Sequence, residues 1–335
     1  VGTTIKDVAK QAGVSTATVS RVLNNDPRVT PAYRQAVLDA VSELDYRRDR
    51  IARNLRVRHS QIIGLIISDI QNPFFTSVVR GVEDVAHDND YTVILGNSDE
   101  DPLKERLYLD IMISERAAGV IISPASETGN HSQMVLRAGI PVVAVDRRML
   151  DLEVDTVVVD NFEGAYRAVR HLLQLGHRRI GFIGGPLQVT TARERRDGYL
   201  RALSEQGIPS DPALVKVTDL KMGGGYSAIY QVLEIEDPPT AIFSANNLIT
   251  LGALNCIHEK GLRIPQDIAI VGFDDMPWAT SLNPPLTAVA QPTYELGRLA
   301  ADLLLQRIKD TDRQVVEVKL GSRLIIRDSC GQPKS

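Results

Sequence analysis

Two sets of residues in this chain have types and spacing suited to recognition chemistry. In the first, Asn72-Pro73-Phe74-Phe75, Asp146-Arg147, Asn246 and Asp274 each come just after a short apolar run. An aromatic ring can cover the C–H face of a pyranose, and a ring of hydroxyls needs paired donors and acceptors once buried. Carboxylate, guanidinium and amide groups supply them as charge-assisted hydrogen bonds, and such a site rejects analogues that lack a hydroxyl. The second set is N-terminal. Ser15, Thr16 and Ala17 offer small polar or methyl-bearing side chains for thymine methyls and base acceptors, and Arg21 suits the two acceptors of guanine. Ser20, Asn24, Tyr46 and the helix termini, Thr4 among them, suit phosphate contacts that position without reading sequence, and Thr18 lies within the same helix.

Other chemistry is not indicated. The sequence holds no GxxxxGK[ST], no GxSxG and no HExxH among its six histidines, and the Gly184-Gly185-Pro186 and Gly223-Gly224-Gly225 runs read as loop or helix-start glycines. Cys256 and Cys330 have no disulfide or zinc spacing. No catalytic residue, metal site or cofactor is expected.

The elements that must position these residues follow from periodicity. Thr4 caps a helix with Asp7 three residues on, Ile5, Val8, Ala9 and Ala12 fall at helical spacing, and Gly13 stops it. Ser15 caps a second helix with Val19, Val22 and Leu23 on one face. Thr30-Pro31 starts a third, with Ala36, Val37, Ala40, Val41 and Leu44 as its buried stripe. A helix, a glycine turn and a second helix make a helix-turn-helix, whose second helix presents its N-terminal residues to the major groove. Taken alone, the pattern also describes a plain packing unit.

From Ile62 the pattern changes. Apolar runs at Ile62–Ile67, Tyr91–Leu95, Gly119–Ile122 and Val142–Val145, then Arg179–Ile183, Leu214–Val217, Ala241–Phe243 and Ile268–Val271, alternate with helical stretches. The fold class is α/β: a small all-α headpiece followed by two doubly wound parallel sheets, with ligands expected beyond the carboxyl ends of the strands. Duller readings stand beside each residue. One of Phe74 and Phe75 is expected to be plain core; Asp146-Arg147 and Arg195-Asp274 could be structural ion pairs between the two doubly wound units; Asn246 could cap the next helix. Trp278, the single tryptophan, either roofs the pocket or merely packs.

Charge is unevenly spread. The 335 residues carry net charge −4, but residues 1–60 hold eleven Lys/Arg against six Asp/Glu, while the remainder holds 27 against 36. A basic module on an acidic body confines attraction for phosphate to one end; a solvated helix surface is the blander reading. No apolar run reaches membrane-spanning length and no export signal is read at the N-terminus, so the expected location is the cytoplasm, with no membrane partner.

Ile5-Lys6-Asp7-Val8-Ala9, Ala12-Gly13-Val14-Ser15 and Thr18-Val19-Ser20-Arg21-Val22-Leu23-Asn24 resemble the headpiece of the lac repressor and purine repressor family. Ile51-Ala52-Arg53-Asn54-Leu55 is similar to that family's hinge helix. The resemblance implies that paired hinge helices enter the minor groove, with Ala52 and Arg53 at the DNA and Leu55 wedged into a central base step; without it Leu55 reads as an ordinary linker residue. It further implies a core like periplasmic sugar-binding proteins, its lobes joined by crossovers near 160, 290 and 321. The expected division is 1–46 headpiece, 47–60 hinge, 61–160 plus 291–320 one lobe, and 161–290 plus 321–335 the other.

By the same resemblance, Asn72, Phe74, Phe75, Asp146, Arg147, Arg195, Asn246, Asp274 and Gln291 look like a free-aldose site, ribose above all, with Leu220 and Trp278 at its edge. Purine-binding members carry a basic residue where this chain has Val189 and an aromatic where it has Leu220, which speaks against a purine. Leu220 also removes a stacking ring expected for ribose, so another pentose, a hexose or a glycoside stays open. Asn247 stands where relatives often have Asp.

The implied partners are a double-stranded operator, a small sugar effector and a second copy of the chain. Only Arg327–Ser335 follow the last expected strand, Leu324–Ile326, with no heptad helix for a tetramer, so the expectation is a homodimer on a pseudo-palindromic site. Alternatives left open are a stand-alone sugar-binding or transport protein, against which the first sixty residues argue, and control by a partner such as a phosphocarrier protein corepressor. Induction and corepression would use the same parts with opposite sign.

Overall fold

Three short helices carry the N-terminal residues. In a computed structural model, which describes residues 3–23, 26–46, 60–128 and 130–331, they are α1 (Ile5–Gln11), α2 (Thr16–Leu23) and α3 (Pro31–Glu43). The Asp7 carboxylate accepts from the Thr4 backbone N–H at 2.8 Å and from its hydroxyl at 2.6 Å, fixing the start of α1. Gly13, at φ +64°, turns the chain, and Ser15 Oγ accepts from the Thr18 N–H at 3.1 Å to cap α2. Val8, Ala9, Val19, Val22, Val37 and Ala40 are buried together, with Ile5, Leu23, Val41, Leu44 and Tyr46 packed around them. Asn24 and the expected hinge, with Ala52, Arg53 and Leu55, lie outside the described residues.

Contacts divide the chain into Val1–His59 and Ser60–Ser335. The second unit runs β1 (Ile62–Ile67), α4 (Pro73–Asp88), β2 (Thr92–Asn97), α5 (Pro102–Ser114), β3 (Gly119–Ile122), α6 (Asn130–Arg137), β4 (Val142–Val145) and β5 (Asp155–Val159). It continues with α7 (Asn161–Gln174), β6 (Ile180–Gly184), α8 (Thr190–Glu205), β7 (Val215–Val217), α9 (Met222–Leu233), β8 (Ala241–Ser244), α10 (Asn247–Glu259), β9 (Ala269–Phe273) and β10 (Thr287–Ala290). Then come α11 (Thr293–Lys309), β11 (Glu317–Leu320) and β12 (Arg323–Ile325).

The two sheets have the same winding, β11-β5-β4-β3-β1-β2 and β12-β10-β9-β8-β6-β7. Every pairing is parallel except β10 with β12. Strands such as Ile62–Ile67 and Val142–Val145 are apolar throughout because helices cover both faces. Each sheet with its helices forms a lobe, and the chain passes between lobes after β5, after β10 and after β11. Helix pairs meet at glycines. A Cβ on Gly81 of α4 would lie 2.2 Å from the Tyr294 carbonyl oxygen, and one on Gly297 of α11 would lie 2.1 Å from that of Val78.

Three strands, β5, β10 and β11, are absent from the apolar runs read in the sequence. β5 opens with Asp155, a buried carboxylate bound by Arg307 (2.9 Å) and Arg313 (3.2 Å), so its polar start hides a fully buried strand. β11 alternates exposed and half-buried residues at a sheet edge, and β10 follows Pro284-Pro285. The second strand lies slightly later than its apolar run, at Thr92–Asn97. Among the described residues no helix is long and apolar enough to cross a membrane.

Candidate functional site

Strand ends and helix starts from both lobes converge on one narrow cleft, partly open to solvent, with about 30 Å³ of free room. Asn72, Phe74, Phe75, Asp146, Arg147, Arg195, Leu220, Asn246, Asp274 and Gln291 line it. So do Asp69, Glu100, Thr191 and Lys221, which were not singled out in the sequence. Asp69 and Glu100 stand just past β1 and β2, where ligands of such sheets gather, so their signal in the sequence is their place after an apolar run. Lys221 and Thr191 carry the same signal, at the starts of α9 and α8 after β7 and β6.

Asp146 and Asp274 anchor the cleft from opposite lobes. Both are buried, and both have a left-handed backbone, φ +69° and +75°, a conformation Asp tolerates better than most residues. Burial pushes the Asp146 carboxyl up to about 6, against the pull of Arg147 and Arg195. Asp274 accepts from the Asn247 N–H at 3.3 Å and from the Gln291 side-chain amide.

The arginines are held in ways that leave bonding capacity for an occupant. Arg147 makes a two-pronged bond to Glu100 at 2.6 and 2.7 Å and donates to the Pro124 carbonyl at 3.2 Å. Its Nε lies 3.5 Å from Asp146 yet is buried without a hydrogen-bond partner, and so is Gln291 Oε1. Arg195 donates to Asn161 at 2.9 Å and to the Ala245 carbonyl at 2.7 Å, with its guanidinium 3.8 Å above the Phe273 ring.

Several duller readings are thereby decided or altered. Phe74 and Phe75 are both core, 4% and 3% exposed and edge-to-face at 5.0 Å, yet both also line the cleft. Asn246 does cap α10, accepting from Leu248 and Ile249 N–H groups at 2.8 and 3.1 Å. The Asp146–Arg147 contact stays within one lobe, and Arg195 and Asp274 belong to the same lobe, so neither pair crosses. Among the described residues the ion pairs that cross are instead Lys221 with Asp69 and Asp99, Arg193 with Glu127, and Arg148 with Glu194. Asn247 donates to Asn72 across the cleft at 2.8 Å. Trp278 is corrected: it sits in the short turn Pro277–Ser281, half-buried against the core of its own lobe, and does not line the cleft. The packing alternative prevails because the large apolar indole lies against the core cluster that includes Ala279 and Leu286.

On the N-terminal unit, Thr16, Ala17 and Arg21 of α2 are exposed, and Thr18 and Ser20 are half-buried. Ser15 is exposed, but its hydroxyl pairs with Thr18 at 2.9 Å besides capping α2. The Thr4 hydroxyl is committed to Asp7, leaving its lone pairs and not its proton for a further partner. Tyr46 is half-buried against the three-helix core.

A helix-turn-helix unit followed in the chain by a two-lobed unit, with a polar cleft between the lobes, defines the class: a DNA-binding regulator answering to a small molecule. Residues 4–49 match the model for bacterial regulatory proteins of the lacI family, and residues 169–330 match the periplasmic binding protein-like domain. The chain is 35% identical to the HTH-type transcriptional repressor PurR of Mannheimia succiniciproducens, covering 97% of this chain and 98% of that one. Among solved structures it resembles the lac repressor dimer bound to operator and the anti-inducer ONPF (TM-score 0.86, 28% identity, 99% and 100% covered). It also resembles an Enterococcus faecium LacI family regulator with bound ribose (TM-score 0.75, 30% identity, 82% and 100% covered). The chain belongs to the lacI family, and it is a ligand-controlled transcriptional regulator rather than an enzyme.

Proposed function

We propose that this regulator is a cytoplasmic repressor that grips a pseudo-palindromic operator as a homodimer and releases it when a small polyhydroxylated ring, best matched by a free aldose, binds between the lobes. The observation that carries the effector assignment is the pair of buried, unpartnered polar atoms in the cleft, Arg147 Nε and Gln291 Oε1. One needs an acceptor and the other a donor, and ring hydroxyls are both. Asp146, Asp274, Arg195, Asn72 and Asn246 would take the remaining hydroxyls, with Phe74 or Phe75 against the C–H face. The ribose-bound relative supports the same class. A purine is disfavoured because Leu220 offers no stacking ring, and Val189 lies outside the cleft lining and carries no charge.

In the DNA-binding unit, Thr16, Ala17 and Arg21 would read base edges. Ser15, Thr18, Ser20, Thr4 and Tyr46 would lie toward the backbone. The dimer is supported by apolar side chains left uncovered on helices: Leu103, Leu107 and Ile111 of α5 recur every four residues at 73%, 58% and 40% exposure, and Met222 and Tyr230 of α9 are also exposed. We assign 61–160 with 291–320 to one effector lobe and 161–290 with 321–335 to the other.

A thermal-shift screen of pentoses, hexoses, glycosides and purine bases tests the effector, since a ligand that binds only the folded state raises apparent stability. Stabilisation by an aldose that also weakens operator binding in a gel-shift assay is the expected result. Stabilisation by hypoxanthine or guanine with silence from every sugar would overturn it.

A further inference from the structure

We propose that Lys221 is the positioning residue that closes the effector cleft, its ammonium clamping two carboxylates of the opposite lobe. Lys221 stands immediately before α9, and its Nζ donates to Asp69 at 2.7 Å and Asp99 at 2.9 Å. Asp69 follows β1 and Asp99 follows β2, so both acceptors come from the sheet that Lys221 does not belong to. The three groups grade from the interior outward: the Asp69 side chain is 7% exposed, that of Lys221 35% and that of Asp99 43%. The bridge therefore runs from the cleft wall to its mouth. Arg193–Glu127 and Arg148–Glu194 also cross between lobes, but those residues stand outside the cleft lining, whereas Asp69 and Lys221 are part of it.

Burial gives the clamp its leverage. Asp69 Oδ1 is held by the Gln71 N–H at 2.9 Å, and Lys221 neutralises Oδ2. If the cation is removed while the lobes stay closed, a carboxylate is left facing the cleft without its counter-charge, which is costlier than leaving it in water. Opening the lobes rehydrates it. Loss of Lys221 thus shifts the population toward the open form, whereas an exposed surface pair would have little effect. The proposal deepens the effector reading but makes no use of which ring binds.

Hydrogen exchange on the full chain without any sugar tests the clamp separately from the effector screen. In Lys221→Met, backbone amides of residues 66–76 and 97–103 on one lobe and 217–226 on the other are expected to exchange at least about threefold faster. Lys221→Arg, which keeps the charge, should stay near the parent, and Asp99→Asn should speed the same three segments to a lesser degree. Unchanged exchange at 66–76 in Lys221→Met overturns the proposal. Faster exchange throughout β8 and β9 with Asp99→Asn silent also overturns it, since Lys221 would then support one lobe's folding and not the contact between two.

Discussion

Asp146 and Asp274 hold the same station in successive lobes. Each follows the fourth strand of its sheet in chain order, has a left-handed backbone, and donates its N–H at 2.9 Å to a carbonyl on the next strand, Val157 or Val289. Their environments differ: Asp274 is bonded by the Gln291 amide and the Asn247 N–H, while Asp146 faces Arg147 and Arg195 and accepts a long bond from the Ser123 hydroxyl, 3.4 Å. Asp274→Ala should abolish sugar-induced thermal stabilisation while operator binding in a gel shift persists; an unchanged sugar titration would remove Asp274 from the site. Asp146 gives a pH signature. Its folded pKa is raised to about 6, so the native state takes up a proton before the unfolded chain does, and this group's contribution to stability falls as pH rises from about 4 to 6. The Tm of Asp146→Asn minus that of the parent should therefore grow across that interval and level off above it; a flat difference would mean that Asp146 is not held up by burial. Such groups were legible in the sequence as residues after apolar runs. Arg195 and Gln291 lie at neither strand end of that reading, being placed by a helix and by a crossover, and came only through family likeness.

At the scale of elements, chemistry at a terminus or a crossing decides the outcome. Ser15 serves α2 by accepting from Thr18, so Ser15→Ala should cost about 1 kcal/mol of N-terminal stability. Hydrogen exchange of α1–α3 in the full chain would read that loss, with the 60–331 unit unaffected. The α4–α11 pair depends on Gly81 and Gly297, where an added methyl would collide with backbone rather than with a side chain that could swing away. Gly297→Ala is expected to destabilise the first lobe by about 1–3 kcal/mol, seen as a lower urea midpoint; no change would mean the helices can part freely. Capping residues and the stop at Gly13 made the three N-terminal helices readable in advance. β5, β10 and β11 were not readable, because their identity as strands comes from partners far along the chain: Arg307 and Arg313 for Asp155, and β5 for an edge strand with only half its residues shielded.

For the whole molecule, segregated charge and uncovered apolar helix faces set the expected behaviour. Leu107→Glu, in the middle of the α5 stripe, should yield monomers by sedimentation and weaken operator binding sharply, with sugar-induced stabilisation kept. A dimer unaffected by that charge would place the interface elsewhere. Operator affinity should also fall steeply with salt, as expected of a basic N-terminal end that displaces counterions.

The exchange of strands between lobes bears on how the chain is made. The first sheet begins at Ile62 but is not finished until Glu317–Leu320 pairs with β5, and the second waits for Arg323–Ile325 to pair with β10. During synthesis both sheets must therefore stand with an open edge until β11 and β12 have emerged, and on the first that edge is β5, buried along its full length in the finished protein. A stop codon falling even in the last twenty residues before β11 would strip an edge strand from both lobes at once, so neither is expected to mature as an independent fragment cut from the N-terminal side.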